Sequence, residues 1–288
     1  MKNSRLALLC AMLAGAATPV MAGDWDAPQE PFAIYGNTYY VGPHGVSSVL
    51  ITTPQGHILI DGGSPESPKQ IAAHIRQLGF KVEDIKYILN SHEHFDHAGG
   101  IAALQKLSGA TVLTSRAGAT VLSTGRTNKA DPQFSNLPPT MAPIAKVRAL
   151  ADGEVLSLGG VTVTAHYTPG HTAGGVSWTW QSREGERVAN MVYADSLTAY
   201  AAKPFRYSGS PSYPTVRADL ERSIALVAAL PCDILISAHP EYGDLWTRHA
   251  AAATAGHAAY IDTAGCRNYA AKGQARLTEL LTEEASTK

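Results

Sequence analysis

Cysteine is scarce in this chain. Only Cys10, Cys232 and Cys266 occur in 288 residues, and no two of them form a C-x-x-C pair, which disfavours a thiolate metal site. No S-x-x-K, K-T-G or G-x-S-x-G segment occurs, which argues against the serine nucleophiles of penicillin-binding proteins and α/β-hydrolases. Lysine and arginine form no stripe, and charged residues make up only 16% of the chain. Nucleic acid and anionic membrane are therefore poor candidates as partners. The chain also lacks a low-complexity tract, a His-rich run of the metal-storage kind and a Pro- or Gly-rich linker, so it reads as one domain.

Long apolar runs are missing as well. The longest, Leu6 to Ala17, falls short of the roughly 20 residues of a spanning helix. Lys2 and Arg5 precede it, and Val20-Met21-Ala22 ends in a small residue before Gly23. This is the layout of a cleavable secretory signal over residues 1–22, leaving 23–288 as a single exported domain. Cys10 lies in that segment, but Leu9 before it is not the small residue that lipoprotein processing favours. Without Lys2 and Arg5, the 23 basic residues fall to 21 against 24 acidic ones. Cys232 and Cys266 remain, and an even count in an exported protein suggests one disulfide. The plainer reading is two buried thiols.

From about Pro31 the pattern is β-rich: "TYYVG", "VSSVLITT" and "GHILIDGG" are split by turns. Ser67 as cap, Pro68 at the first position, and Ile71, Ile75 and Leu78 on one face predict a helix that Gly79 closes. "DIKYILN" reads as a buried strand, "SHEHFDH" as a loop, "GGIAALQKL" as a helix and "ATVLTS" as a strand. The second half runs through short strands to "TPGHT", then "GVSWTW", "VANMVYADSL", a helix near 216–230, the strand "CDILISAHP" and Ala-rich helices. "YILNSHEH" and "DILISAHP" occupy corresponding places. Two βα-rich halves with facing sheets and outer helices follow from that alternation.

The segment "SHEHFDHAGG" at 91–100 carries the chemistry. His92 and His94, two apart in extended backbone, point the same way. Asp96 and His97 can then address a neighbouring point. The spacing differs from the helical H-E-x-x-H motif, and imidazole with carboxylate suits zinc, or iron, nickel or manganese. Glu93, wedged between two residues that face one way, is expected at the surface or behind the ligands. His171 in "TPGHT" and His239 in "SAHPE" also sit at strand ends, where loops carry function. His44, His57, His74, His166, His249 and His257 read as ordinary surface or core histidines. In "ADPQFSNLPP", a segment of loop composition, Gln133 and Phe134 could touch a substrate.

In their order and separation, "ILIDGG", "SHEHFDHAGG", "TPGHT", "YADSLTA" and "SAHPE" resemble the metallo-β-lactamase superfamily. "GNTYYVG", the Ser-x-Thr of "ADSLTA" and the cysteines bracketing His239 are similar to its subclass B3. The resemblance implies an α/β fold, a four-layer αββα sandwich of two facing mixed sheets with helices outside. It implies two zinc ions per chain, one on His92, His94 and His171 and the other on Asp96, His97 and His239. Asp96 would also orient the attacking water. Ser196 would stand where other subclasses place a metal-binding cysteine, and with Thr198 would lie near the substrate carboxylate. Cys232 and Cys266 would form the subclass's bridge, and Asp61 would help to hold the metal loop. The implied activity is zinc-dependent hydrolysis of the β-lactam amide of penicillins, cephalosporins and carbapenems by residues 23–288 acting as a single monomeric catalytic domain in the periplasm, conferring antibiotic resistance. Asp195 keeps an alternative open: it also resembles the metal-bridging aspartate of lactone and thioester hydrolases in the superfamily.

Overall fold

A computed structural model describes residues 25–287; the expected signal, residues 1–22, lies outside the described residues. Seven strands form the first sheet in sequence order: β1 (Phe32–Tyr35), β2 (Thr38–Tyr40), β3 (Val49–Thr53), β4 (Gly56–Ile60), β5 (Ile85–Leu89), β6 (Thr111–Thr114) and β7 (Val147–Ala149). The first four pair antiparallel, and β4 to β7 pair parallel. The parallel connections run through helices α1 (Pro68–Gln77), α2 (Phe95–Ala98), α3 (Ile101–Ser108) and α4 (Arg116–Thr124). The second sheet has the order β12-β11-β10-β9-β8, from β8 (Val155–Leu158), β9 (Val161–Tyr167), β10 (Val176–Glu184), β11 (Arg187–Ala194) and β12 (Ile234–Ser237). Its only parallel pair is β11 with β12, reached through α5 (Val216–Ala229). Helices α6 (Leu245–Ala255) and α7 (Gly265–Ser286) complete the chain.

Side-chain alternation along the strands creates the layers. Val49, Ile51, Ile58, Ile60 and Leu89 face inward and meet Trp178, Met191, Tyr193, Ile234 and Ile236 of the other sheet. Leu50, Leu59, Ile88 and Val112, from the opposite face of the first sheet, bury Ile71, Ile75, Ile101 and Leu104 of α1 and α3. Val192, Ala194 and Leu235 do the same for Leu220, Ile224 and Val227 of α5 and Tyr269 and Leu277 of α7. The result is the expected αββα sandwich. Cys232 and Cys266 are joined in a disulfide, tying the approach to β12 to the first turn of α7.

Two local expectations need correction. Within "SHEHFDH", residues 95–98 form the one-turn helix α2 rather than loop. Ser67 precedes α1 but caps none of its N–H groups; its hydroxyl instead donates to Asp26 Oδ1 at 2.5 Å.

Candidate metal centre

The parallel strands β4, β5, β11 and β12 end on one side of the molecule, the side where open α/β sheets place their sites. Asp61 follows β4, His92 and His94 follow β5, Asp195 follows β11 and His239 follows β12. The turn between β9 and β10 brings His171. Gly170 makes that turn possible: its φ is +135°, and a Cβ there would lie 2.6 Å from the Leu220 Cα.

Three imidazoles form a near-equilateral group. Ring centroids of His92 and His94 are 4.9 Å apart, and both lie 5.0 Å from His171. A second group adjoins it, His97 being 4.2 Å from His92 between centroids. Asp96 Oδ2 lies 3.1 Å from His97 Nε2 and 3.4 Å from His239 Nε2, and the two Nε2 atoms are 3.2 Å apart. All six expected residues are thus brought together. Five are nearly inaccessible, whereas 19% of the His239 side chain is exposed, so the mouth opens on its side.

Four of the five site histidines turn one nitrogen outward onto an acceptor. His92 Nδ1 meets Asp195 Oδ1 at 2.8 Å, His94 Nε2 meets Asp131 Oδ2 at 3.1 Å, and His171 Nδ1 meets the Thr198 carbonyl at 2.8 Å. His239 Nδ1 meets the Gly45 carbonyl at 3.1 Å, and His97 Nδ1 lies 3.6 Å from Asp61 Oδ2. Such partners fix the tautomer and leave the opposite lone pair facing inward, the arrangement of a metal-binding histidine. His92 Nε2, so directed, is buried without a protein partner. Lone pairs converging in this way, with no thiolate among them, fit a borderline divalent cation such as zinc.

Asp61 braces the assembly from behind. Its φ of +58° is uncommon for a non-glycine residue, and it turns the carboxylate under the end of β5. There it accepts from the Ser91 N–H (2.7 Å), the Ser91 hydroxyl (2.6 Å), Asn90 Nδ2 (3.1 Å) and the Tyr193 hydroxyl (2.8 Å).

Electrostatics follow from burial and neighbours. Burial, then His94, lowers His171 to about 3, and burial, then His97, lowers His239 to about 4. Burial also works against charge on His97, but the Asp96 and Asp61 carboxylates outweigh it and raise His97 to about 10. Burial opposes the charged form of Asp96 too, yet His97 outweighs it and holds the carboxyl well below its usual range. A proton on His97 here occupies the place that a cation would take.

Of the two places expected for Glu93, the structure shows the one behind the ligands: it is buried and accepts from Thr172 Oγ1 at 2.8 Å. Gln133 Nε2 comes within 3.4 Å of His171 Nε2, so the 131–137 segment reaches the site, while Phe134 remains 37% exposed. Asp195 engages the outward nitrogen of His92, away from the inward lone pairs. Ser196 is buried and Thr198 half-buried, beside the carbonyl that holds His171. Sequence reasoning missed Asp131, Gly45 and the Thr198 carbonyl. An Asp before Pro in a loop signals a turn, and carbonyls carry no sequence signal. The six remaining histidines stand outside the cluster: His166 pairs with Thr179, His74 with the Val41 carbonyl and His257 with Glu184, for example.

Residues 41–250 match the sequence profile of the metallo-β-lactamase superfamily. The chain belongs to that superfamily. Among solved structures, MEM-A1, a subclass B3 metallo-β-lactamase isolated from a soil metagenome library, is 65% identical, covers 92% of this chain and 100% of its own, and superposes with a TM-score of 0.91. SMB-1, another metallo-β-lactamase, is 52% identical over 91% of this chain and 99% of its own, with a TM-score of 0.88. A hydroxyacylglutathione hydrolase of Pseudomonas paraeruginosa (strain DSM 24068 / PA7) is 30% identical over 155 residues, 54% of this chain. The chain spans about half the length of this curated relative, 47%. As a superfamily member with this His/Asp cluster, the protein is a metal-dependent hydrolase. No helix among the described residues is long and apolar enough to cross a membrane.

Proposed function

We propose that this superfamily member, loaded with two zinc ions, hydrolyses the β-lactam amide bond of penicillins, cephalosporins and carbapenems and so confers resistance to them. The observation that carries the reading is the buried cluster itself: His92, His94 and His171 form one group able to hold a metal, Asp96 and His97 form a second beside it with His92, and His239 Nε2 lies 3.4 Å from Asp96. The full-length likeness to subclass B3 enzymes supports the substrate class.

One zinc would be held by His92, His94 and His171, and the other by Asp96, His97 and His239. When bound, the pair lowers the pKa of a water toward ~7 and polarises a carbonyl. The chain's own residues do the rest. Asp195, Asp131 and the Thr198 and Gly45 carbonyls keep the protons of His92, His94, His171 and His239 on their outward nitrogens. Asp96 is the catalytic residue that accepts a hydrogen bond from the attacking water and orients it. Ser196 and Thr198, at the exit of β11, are assigned to the substrate carboxylate, Thr198 being the more accessible. The chain works as a monomer in the periplasm, a placement supported by the pattern of residues 1–22 and by the disulfide.

Asp195 argues against the lactone or thioester alternative. That reading needs its carboxylate between the metals, whereas it lies 2.8 Å from the outward nitrogen of His92. The test is turnover of nitrocefin and imipenem beside a homoserine lactone and a glutathione thioester, before and after chelation and zinc return. β-Lactam hydrolysis lost to the chelator and restored by zinc supports the proposal; turnover of the lactone or thioester alone refutes it.

A further inference from the structure

The segment before β1 is not a passive lead-in. Asp26 accepts two hydroxyl hydrogen bonds from the start of α1, from Ser67 Oγ at 2.5 Å and Ser64 Oγ at 2.6 Å. Two further bonds run from the 44–45 turn, His44 N–H to the Ala27 carbonyl (2.9 Å) and Gly45 N–H to the Trp25 carbonyl (3.2 Å). Gly45 is also the residue whose carbonyl holds His239. Held at its carbonyl and through Asp26 and Ala27, Trp25 sets its ring 5.6 Å from Phe95 and 6.0 Å from His239 between centroids. It thereby forms a wall of a groove of about 450 Å³, shared with Phe95, Pro65, Pro138 and Met141. None of the six expected ligands lines the groove; Trp25 links it to the site through the 6.0 Å approach of its ring to His239.

We propose that Asp26 is a positioning residue: by clamping the arm to Ser64 and Ser67 it fixes Trp25 as the wall against which the substrate's apolar substituent rests. Asp26 itself bonds Ser64 and Ser67 and no metal ligand; the arm meets the site only through the Gly45 N–H and the Trp25 ring, so the main effect is expected on substrate binding, with a small one on the chemical step. Hydrogen bonds to a charged group are the stronger kind, and a carboxylate that satisfies two hydroxyls at once suits a hinge that must stay shut. The proposal rests on the hydrolase reading above.

The test pairs kinetics with a readout that needs no substrate. Losing the wall is expected to raise KM for a cephalosporin with an aromatic substituent about tenfold, as for roughly 1.4 kcal/mol of binding, with kcat within about twofold. Asp26→Ala should show this, Asp26→Asn, which keeps one acceptor, should recover part of it, and Asp26→Ala should add nothing in a Trp25→Ala background. Chymotryptic cleavage after Trp25, read by mass spectrometry, should be several-fold faster in Asp26→Ala than in wild type. An unchanged KM, or a rise that adds in full to that of Trp25→Ala, overturns the proposal. Equal cleavage rates overturn it whatever the activity, whereas failure of the wild type to open any β-lactam sinks only the hydrolase reading.

Discussion

His92 shows how much one side chain is asked to do here. Its ring is fully buried, its outward nitrogen is bound to Asp195, and its inward nitrogen has no protein partner. Removing the outward partner should free the ring to turn, and such partners are typically worth about 10- to 100-fold in metal affinity or activity. Asp195→Ala and Asp131→Ala are each expected to lose zinc at chelator concentrations that leave the wild type loaded, measured by competition with a chromophoric chelator. The two triads should also separate by mutation. In Asp96→Ala turnover is expected to vanish while the three-histidine zinc stays bound; full metal with unchanged rates would contradict the role given to Asp96. The pH dependence of the metal-free protein has a definite sign. His171 and His239 have folded values near 3 and 4 against an unfolded value of 6.5. Their contribution is present above pH 6.5 and lost as pH falls from there toward 4. His97, raised to about 10, contributes below pH 6.5 and loses it as pH rises toward 10. Melting temperatures of the chelated protein should therefore peak near pH 6.5, and a steady rise into acid would contradict the account.

Elements aim these residues, and the legibility of the sequence varied with how local each element's cause is. The strands β3, β4, β5 and β12 were readable because apolar runs bounded by turns have few alternatives. The helix α1 was readable from Pro68 and its apolar spacing, but the job of Ser67 was not, because its partner Asp26 lies 41 residues away. Helix α2 escaped because four residues are too few to show a period and its positions are occupied by ligands. The six convergent residues were legible as a group since His92, His94, His171 and His239 sit in turns just past strands and Asp96 and His97 follow at once in the short helix α2. Their outward partners were hidden, being carbonyls or carboxylates from distant loops. The turn at Gly170 gives an element-scale test. A Cβ at φ +135° would be strained and would press on the α5 backbone, at a cost of about 1–3 kcal/mol. Gly170→Ala is expected to weaken the three-histidine triad more than the other, read as earlier release of one equivalent of zinc on chelator titration.

At the scale of the whole molecule, two sheets share one core and present their parallel ends on the same side. Asp61 of the first sheet and Tyr193 of the second meet there through a hydrogen bond of 2.8 Å, so the site is braced by both layers at once. The disulfide acts on the far side of β12, closing a segment with a separation of 34 residues. Chain entropy assigns such a closure about 3–4 kcal/mol. A Cys232→Ser, Cys266→Ser variant should unfold at lower denaturant by roughly that amount while binding the same metal. The central claim is that six side chains at these strand ends hold two metal ions, three and three. The measurement that tests it most directly is zinc per chain by equilibrium dialysis and elemental analysis, in wild type and in His239→Ala. The account predicts two ions in the wild type and one in the variant, lost from the triad of Asp96, His97 and His239. A single ion in the wild type, or two in both proteins, would contradict it.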